Sequence, residues 1–393
     1  MNSQTTPARD AFPDILRGFA LLGIALVNVP YLATNTIYGS IGADLTQDSN
    51  YWTAVTIAAL FQAKFYILFS FLFGYSASYV VRNDRANGRR WRARAIGLML
   101  LGVLHFTLLF HGDILFVYGL LGLLLGAFLF RSDRILKIWA WISFGVGAVG
   151  ILSSALLTWL GEILLRSLGK PLPSLEIDVA LNQTMVSGSF WDNIPARIEL
   201  WLLAAPQGLV LQGPFVFAAF LLGLLVARKR ALVDANPKLM KRFALWGWLI
   251  GLPLQVVAAL IMFSNEISSD YSVGVYLFAV SINFVGAPIL SAGLVGTLWI
   301  MSRNWKSGGI LGAAGRLSLT VYLSQSVVFS VLFSGWGFGL FGRLGLLEVT
   351  LIAAATWPAL AVLAWVYVKF FGKGPMESVL TGFSKALGRG KPE

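Results

Sequence analysis

The sequence contains no cysteine and only two histidines, His105 and His111. The absence of cysteine excludes disulfide bridges, a thiolate nucleophile and metal sites built on thiolates. The chain also lacks the patterns G-x-x-x-x-G-K-[ST] and H-E-x-x-H, so ATP hydrolysis and zinc-protease chemistry have no motif to support them. We therefore expect no metal, and we look first to the two imidazoles for a general base.

Charge is scarce as well. Charged residues make up 12% of the chain, against roughly 25% in soluble proteins. Hydrophobic residues make up 57%, the mean hydropathy is +0.75, and the apolar runs are continuous. These features predict an all-α polytopic membrane protein that forms one integral membrane domain over residues 1–393. In this class a net charge of +12 indicates basic cytoplasmic loops, so we expect membrane lipids and no nucleic acid as partners.

Ten apolar segments have the length of membrane spans. Residues 52–60 either extend the second span or form a lateral helix, and 194–207 is predicted as a short interfacial or re-entrant piece. The predicted spans are 14–33, 61–81, 95–111, 114–130, 136–163, 209–227, 243–263, 272–301, 310–334 and 346–370.

The basic residues predict the orientation. Segments 82–94 and 228–242 each hold six basic residues and fall on one side if the spans alternate, whereas loops 34–51 and 264–271 hold none. The positive-inside rule then places both termini in the cytoplasm and the protein in the inner membrane. The outer segment 164–196 is long enough for a small cap. The cytoplasmic tail 371–393 is predicted to form a short amphipathic helix on the inner surface.

Several polar side chains fall inside the spans, where an ionisable group costs about 2.5–3.5 kcal/mol. At about 1.5 Å per residue they form three levels of depth. Each also has a structural explanation, as a snorkelling arginine, an inter-helix hydrogen bond or a helix cap. The inner level holds Arg17 and Arg316, with Asp14 as the partner of Arg17; the middle holds Asn28, His105 and Gln325; the outer holds Lys64, His111, Asp113 and Tyr118.

Polar side chains at three successive depths suit a reaction or a permeation path that crosses the bilayer. His105 is our candidate base, with Asp113 or His111 orienting or assisting it. Arg17 and Arg316 are candidates for holding the phosphates of an acyl-CoA donor. The candidate substrate-binding residues are Asn28, Lys64, Tyr118, Tyr322 and Gln325.

Five stretches are distinctive as a set: D-x-L-R-G-F-A-L-L-G-I-x-L-V-N at 14–28, KFYILFSFLFGYS at 64–76, LGVLHFTLLFHGDILFVYGLLGLLL at 101–125, GRLSLTVYLSQS at 315–326 and GPMES at 374–378. They resemble the YeiB-like bacterial membrane proteins, and the resemblance extends over nearly the whole chain. This family is similar in turn to transmembrane acyltransferases, namely heparan-α-glucosaminide N-acetyltransferase and the OafA-like sugar O-acyltransferases.

The wider resemblance implies a bundle of ten or eleven helices that takes acyl-CoA from the cytoplasm and passes the acyl group to an acceptor on the far side. Arg17, in the shared L-R-G start of the first helix, would lie on the donor side. Asn28 stands where the OafA-like members have a catalytic histidine, and loop 34–51 lacks the histidine of the heparan-type enzyme. Either His105 or His111 replaces that histidine from the third span, or transferase activity has been lost.

Our leading hypothesis is therefore a membrane-embedded acyltransferase that uses acyl-CoA and an outward-facing or membrane-bound sugar, lipid or small amine. The alternative is a transporter or permease for a small anionic or lipid-like compound, in which Lys64, Arg17 and Arg316 bind charge. A third hypothesis is a non-catalytic membrane scaffold. Analogy with the acyltransferases allows a homodimer.

Overall fold

The computed structural model describes residues 11–82, 84–172, 180–305 and 308–388. The predicted all-α class is confirmed, because these residues form helices and no strand. The α-helices are α1 Phe12–Ala33, α2 Asp48–Leu60, α3 Lys64–Val81, α4 Gly88–Leu108, α5 Leu115–Gly126, α6 Asp133–Ser167, α7 Ala180–Ser187, α8 Asn193–Arg228, α9 Pro237–Trp246, α10 Leu252–Glu266, α11 Val273–Ser302, α12 Gly309–Arg316, α13 Ser318–Phe333, α14 Leu346–Phe371 and α15 Pro375–Gly388.

The chain is a multi-pass membrane protein. Within the described ranges, seven helices or helix pairs are long and apolar enough to cross a membrane, and the bent pair α12–α13 makes eight. The two further spans that the sequence predicts correspond to α4 and α5. Four arginines lie in the first seven residues of α4, and α5 has 12 residues, about 18 Å of helix against a hydrocarbon core of about 30 Å. The count of ten and the cytoplasmic placement of both termini stay predictions.

Two predicted segments differ from the structure. Residues 194–207 are no separate piece, because α8 runs unbroken from Asn193 to Arg228 with Pro206 and Pro214 inside it. The predicted second span, 61–81, agrees with α3, and residues 52–60 belong to the preceding helix α2, which is separated from α3 by a break where Ala63 has a φ of 64°. The predicted ninth span, 310–334, is two helices that meet at an angle of 87°.

Helix α1 lies at the centre of the main apolar core and packs against α3, α12, α13 and α14. Its crossing with α12 is very close, because Gly18 and Gly315 each face a carbonyl oxygen of the other helix. A Cβ atom at Gly18 would collide with the carbonyl of Leu311, and one at Gly315 with that of Asp14. This crossing brings the residues beside the two glycines, Arg17 and Arg316, to the same place.

Helices α4 and α5 form a hairpin whose turn, residues 109–114, lies beside the start of α8. Phe106 of α4 stacks on Trp201 of α8 with ring centroids 4.1 Å apart. Arg197 of α8 donates to the carbonyl of Leu108 at 2.9 Å. Gly112 at the tip of the turn is exposed, but the two polar side chains of the turn, His111 and Asp113, are buried in the protein.

The predicted tail helix is present as α15. It packs against α4, where Leu380 and Phe383 lie next to Gly97. The carboxylate of Glu377, in its first turn, accepts hydrogen bonds from the N–H groups of Leu319 and Thr320, at 2.8 and 3.1 Å. These are first-turn N–H groups of α13, which have no partner within their own helix. Glu377 thus caps α13 at the bend that separates it from α12.

The outer segment 164–196 contains the end of α6, helix α7 and the start of α8. Residues 173–179, including Pro173, lie outside the described residues. Leu181 and Met185 of α7 pack on Ala196 and Leu200 of α8 and on Phe341. This small apolar cluster covers the bundle at the end where the α4–α5 turn lies.

Candidate functional site

Three side chains, those of Asp113, His105 and Ser326, form a buried series of hydrogen bonds between α4, the α4–α5 turn and α13, which we call the His105 chain. His105 Nδ1 lies 2.7 Å from Asp113 Oδ1, and His105 Nε2 lies 2.8 Å from Ser326 Oγ. His105 is 2% exposed, Asp113 6% and Ser326 4%. The arrangement is that of a carboxylate, an imidazole and a hydroxyl in line, which is the basis of general-base and nucleophilic catalysis.

The sequence of the turn explains how Asp113 is held. The chain leaves α4 after Leu108 and re-enters a helix at Leu115. Asp113 Oδ2 accepts the N–H of Phe116 in the first turn of α5, at 2.7 Å. A carboxylate is favourable at a helix N-terminus, where N–H groups lack intrahelical partners. One oxygen of Asp113 is therefore occupied by α5 and the other faces His105.

The hydrogen bonds also set the proton positions on His105. A carboxylate can only accept, so the proton of the imidazole lies on Nδ1 and is donated to Asp113. Nε2 then carries a lone pair and accepts the O–H of Ser326. In this tautomer the imidazole is ready to take a proton from a hydroxyl on the α13 side.

Tyr322 lies one helical turn before Ser326 on α13. Its ring centroid is 5.1 Å from that of His105, and the residue is 2% exposed. Its hydroxyl is buried; the backbone N–H of Ile114 is directed at its oxygen, and its own proton has no acceptor within the described part of the chain. Tyr322 is thus a predicted substrate residue that the structure places beside His105, with a donor still available.

The other predicted residues of the middle level point elsewhere. Gln325 donates to the carbonyl of Leu21 in α1 at 3.2 Å. Asn28 is half-buried on α1 and makes no hydrogen bond with the residues described here. The structure does not bring either side chain to His105, and their predicted substrate contacts stay predictions.

The predicted outer group also separates. His111 Nε2 donates to the carbonyl of Thr36 at 2.7 Å, so it ties the α4–α5 turn to the loop after α1. The Tyr118 hydroxyl lies 2.7 Å from Ser70 Oγ within the α3–α5 contact. Lys64 is fully buried and donates to the carbonyl of Ala58 at 2.7 Å. None of the three side chains touches the His105 chain.

A second polar cluster, which we call the basic-end cluster, lies where α1 and α12 cross. Arg17 Nη1 is 2.8 Å from Asp14 Oδ1, which confirms the predicted pair, and Arg316 Nε is 3.8 Å from Asp14 Oδ2. The structure therefore brings both predicted donor-binding arginines to one carboxylate. Lys64 is not among them, because Arg17 contacts the carbonyl of Leu72, eight residues or about 12 Å further along α3.

Two more cations belong to this cluster. Arg94 of α4 lies near Arg17 and Glu377, and its buried Nε has no hydrogen-bond partner among the described residues. Lys373 lies between α14 and α15, where partial burial and the nearby Lys385 and Arg94 lower its pKa. With four cations around Asp14 and Glu377, the cluster has more positive than negative charge. It is therefore suited to bind an anion.

A basic groove lies on the other side of α4 at the same end. One cavity of about 660 Å³ is lined by residues that include Arg85, Phe130 and Arg131. An adjoining cavity of about 730 Å³ shares Arg85 and Phe130 and adds Arg89 and Arg92. Volumes of this size accommodate drug-sized ligands. The groove offers a second place for an anionic group at this end of the bundle.

At the opposite end, two donors lie unpaired above the α4–α5 turn. Arg197 is 1% exposed, and its Nη2 has no hydrogen-bond partner in the described ranges. Trp201 lies one turn further along α8, and its buried Nε1 is likewise unpartnered there. Because Arg197 bonds the carbonyl of Leu108, its guanidinium lies about one turn beyond His105, whereas Trp201 stacks on Phe106, the residue next to His105. They are suited to an acceptor group on that side of the site.

Sequence reasoning missed Ser326, Arg197 and Glu377. Ser326 closes the stretch GRLSLTVYLSQS and shares a helix face with Tyr322, which is a signal that could have been used. Arg197 lies within the predicted interfacial piece, where an arginine does not by itself indicate a functional site.

Within the described residues no three His, Asp or Glu side chains are grouped as metal ligands.

Comparison with known proteins gives relatives along nearly the whole chain. YxaH of Bacillus subtilis (strain 168), an uncharacterized protein, is 27% identical over 388 residues, covering 93% of this chain and 91% of the relative. YeiB of Escherichia coli (strain K12), also uncharacterized, is 24% identical over 389 residues, covering 94% of each. The family model DUF418, a protein family of unknown function, matches residues 226–383. That match includes Arg316, Ser326 and Glu377 but begins after α4, the helix that carries His105.

Proposed function

We propose that this chain, which belongs to the YeiB-like family of membrane proteins, is an acyltransferase that moves an acyl group from cytoplasmic acyl-CoA to an acceptor in or across the inner membrane. The single observation that carries the proposal is the position of His105 between the carboxylate of Asp113 and a buried hydroxyl. An imidazole oriented in this way removes a proton from a hydroxyl or amine as that group attacks an acyl carbonyl.

The donor's phosphates would bind at the basic end. Arg17, Arg94 and Arg316 lie there around one carboxylate, and guanidinium groups suit phosphate recognition. His105 follows Arg94 by eleven residues of α4, which is about 16 Å and nearly three full turns, so both residues face the same side. The flexible arm between the phosphates and the sulfur of CoA would cross this distance and bring the thioester to His105.

The acceptor would approach from the other end of the bundle. Arg197 and Trp201 have buried donors without partners in the described chain, Arg197 about one turn beyond His105 and Trp201 against the neighbouring Phe106. A sugar, a lipid head group or a small amine would supply acceptor atoms for them. This arrangement separates donor and acceptor on the two sides of one base.

The proposal is tested by measuring thiol release from acetyl-CoA and palmitoyl-CoA by the purified chain in lipid nanodiscs with candidate acceptors. Because the protein has no cysteine, a thiol-reactive chromophore would report only free CoA. We expect His105→Ala to lower release at least about 100-fold, since a positioned base contributes about 10² to 10⁴. His111→Ala is the matched control, because it changes the other buried histidine and should keep most of the activity.

Failure of the wild-type protein to release thiol from either donor, with every acceptor class tried, would overturn the proposal. In that case counterflow of a labelled anion in liposomes, unaffected by CoA, would favour the transporter hypothesis. Equal losses in His105→Ala and His111→Ala, with equal losses of thermal stability, would also argue against a catalytic role for His105.

A further inference from the structure

We propose that Ser326 carries the acyl group as a covalent ester between the two halves of the reaction, and this inference rests on the proposed transferase function. In that reaction His105 would first act as a base that accepts the proton of the Ser326 hydroxyl, and later as an acid that returns a proton to it. The acyl group would leave the donor before the acceptor arrives. Ser326 is therefore assigned as the nucleophile.

The first argument is the partner of the Ser326 hydroxyl. Serine and threonine in membrane helices commonly bond the carbonyl four residues earlier in their own helix. Ser70, Ser281 and Thr350 do so here, at 2.7 or 2.8 Å. Ser326 instead bonds the imidazole of His105 at 2.8 Å. Its proton is thus directed to a group that can take it, and not to a backbone carbonyl.

The second argument is a comparison with Ser330, one turn further along α13. Both serines are buried, but Ser326 bonds the side chain of His105 in α4, whereas Ser330 donates to the carbonyl of Leu109, just after α4, at 2.9 Å. A backbone carbonyl is not a base, so that contact only holds the helices together. The difference between the two serines lies in the partner, and only Ser326 has one suited to activation.

The third argument is the donor beside Ser326. The Tyr322 hydroxyl lies one turn earlier on the same helix and is buried; its oxygen faces the backbone N–H of Ile114, and its proton has no acceptor in the described chain. When a hydroxyl attacks a carbonyl, negative charge develops on the carbonyl oxygen, and a donor held nearby stabilises it. Tyr322 is positioned to donate to that oxygen.

The step balances without any further reactant. Ser326 Oγ forms a bond to the carbonyl carbon of the acyl thioester while its proton passes to His105 Nε2. The carbon–sulfur bond breaks, and the thiolate leaves as a thiol with that proton. An acceptor hydroxyl or amine then attacks the serine ester, gives its proton to His105 Nε2, and Ser326 regains a proton as the ester bond breaks.

The test is to incubate the full chain in nanodiscs with radiolabelled acetyl-CoA or palmitoyl-CoA in the absence of acceptor, quench in acid, and map the label by mass spectrometry. We expect up to one acyl group per chain on the peptide that contains Ser326. Ser326→Ala should abolish the label, Ser326→Cys should give a thioester that neutral hydroxylamine removes, and Ser330→Ala should label as the wild type does. A fluorophosphonate probe, which reacts with activated serines, should label Ser326 only when His105 is present.

The outcomes separate this inference from the function it rests on. If acceptors are acylated in a His105-dependent way while Ser326→Ala keeps the wild-type rate and no ester forms, direct transfer is correct and the covalent role is wrong. If neither an ester nor an acylated acceptor appears with the wild-type protein, the transferase function itself fails. A label that lies on Ser330 or persists in Ser326→Ala would also overturn the assignment.

Discussion

The basic-end cluster and the His105 chain both lie along one face of α4, yet they are built from different groups. Arg94 and His105 occupy that face, about 16 Å apart. The first cluster pairs Arg17 and Arg316 with Asp14, and a guanidinium keeps its charge at every physiological pH. The second joins an imidazole nitrogen to a hydroxyl, and a neutral imidazole is a general base. Fixed charge suits binding, whereas an imidazole that accepts a hydroxyl proton suits proton transfer.

The two regions also differ in exposure. The side chains of His105 and Asp113 are fully buried, whereas those of Arg17 and Arg316 are 16% and 36% exposed. A ligand from solution can therefore reach the arginines directly, but the His105 chain only through the protein. In the proposed reaction, donor recognition and chemistry would therefore take place at separate depths, and variants in each region should change different kinetic constants.

The largest effect should come from Asp113→Asn. The amide cannot orient and stabilise the protonated imidazole as the carboxylate does, so we expect kcat for acyl transfer to fall by about 10² to 10⁴ with little change in the donor KM. Steady-state thiol release measures both constants. Asp14→Asn is the matched control, and a drop of similar size in its kcat would remove the distinction between the two regions.

A smaller effect is expected from Arg17→Met and from Arg316→Met, each made alone. Each guanidinium that contacts a phosphate contributes about 1.5–3 kcal/mol, so the donor KM should rise by about 10- to 100-fold per arginine while kcat stays near that of the wild type. Arg85→Met and Arg89→Met test the basic groove in the same assay. If only the groove variants raise KM, the donor binds in the groove and not at the basic-end cluster.

The smallest effect on the rate should come from Glu377→Ala. This change leaves the N–H groups of Leu319 and Thr320 without their acceptor, and it should lower the free energy of unfolding by about 1–3 kcal/mol. Thermal unfolding in detergent measures the loss, and Glu377→Gln, which keeps an acceptor, should lose less. A large fall in kcat without loss of stability would show that the α13 N-terminus belongs to the reactive region as well.

Part of the site was accessible from the sequence. Asp14 and Arg17 are one turn apart on a single helix, so the pair follows from helical period alone. Asp113 was named with His105 because the short turn after α4 keeps them close along the chain. The bend between α12 and α13 was missed, since residues 310–334 read as one continuous apolar run. Its cap is Glu377, 57 to 58 residues further on.

The sequence by itself determined that this is a helical membrane protein, because the spacing of apolar residues and the length of the runs are local properties. It also determined the Asp14–Arg17 pair, which needs only one helix. Only the tertiary structure decided that Ser326 meets His105, 221 residues away, and that Arg316 joins Arg17 at Asp14. Such meetings depend on which helices pack together and on how closely their glycines allow them to approach. Helix packing depends on residues from many segments at once, so it cannot be predicted from any one segment of the sequence.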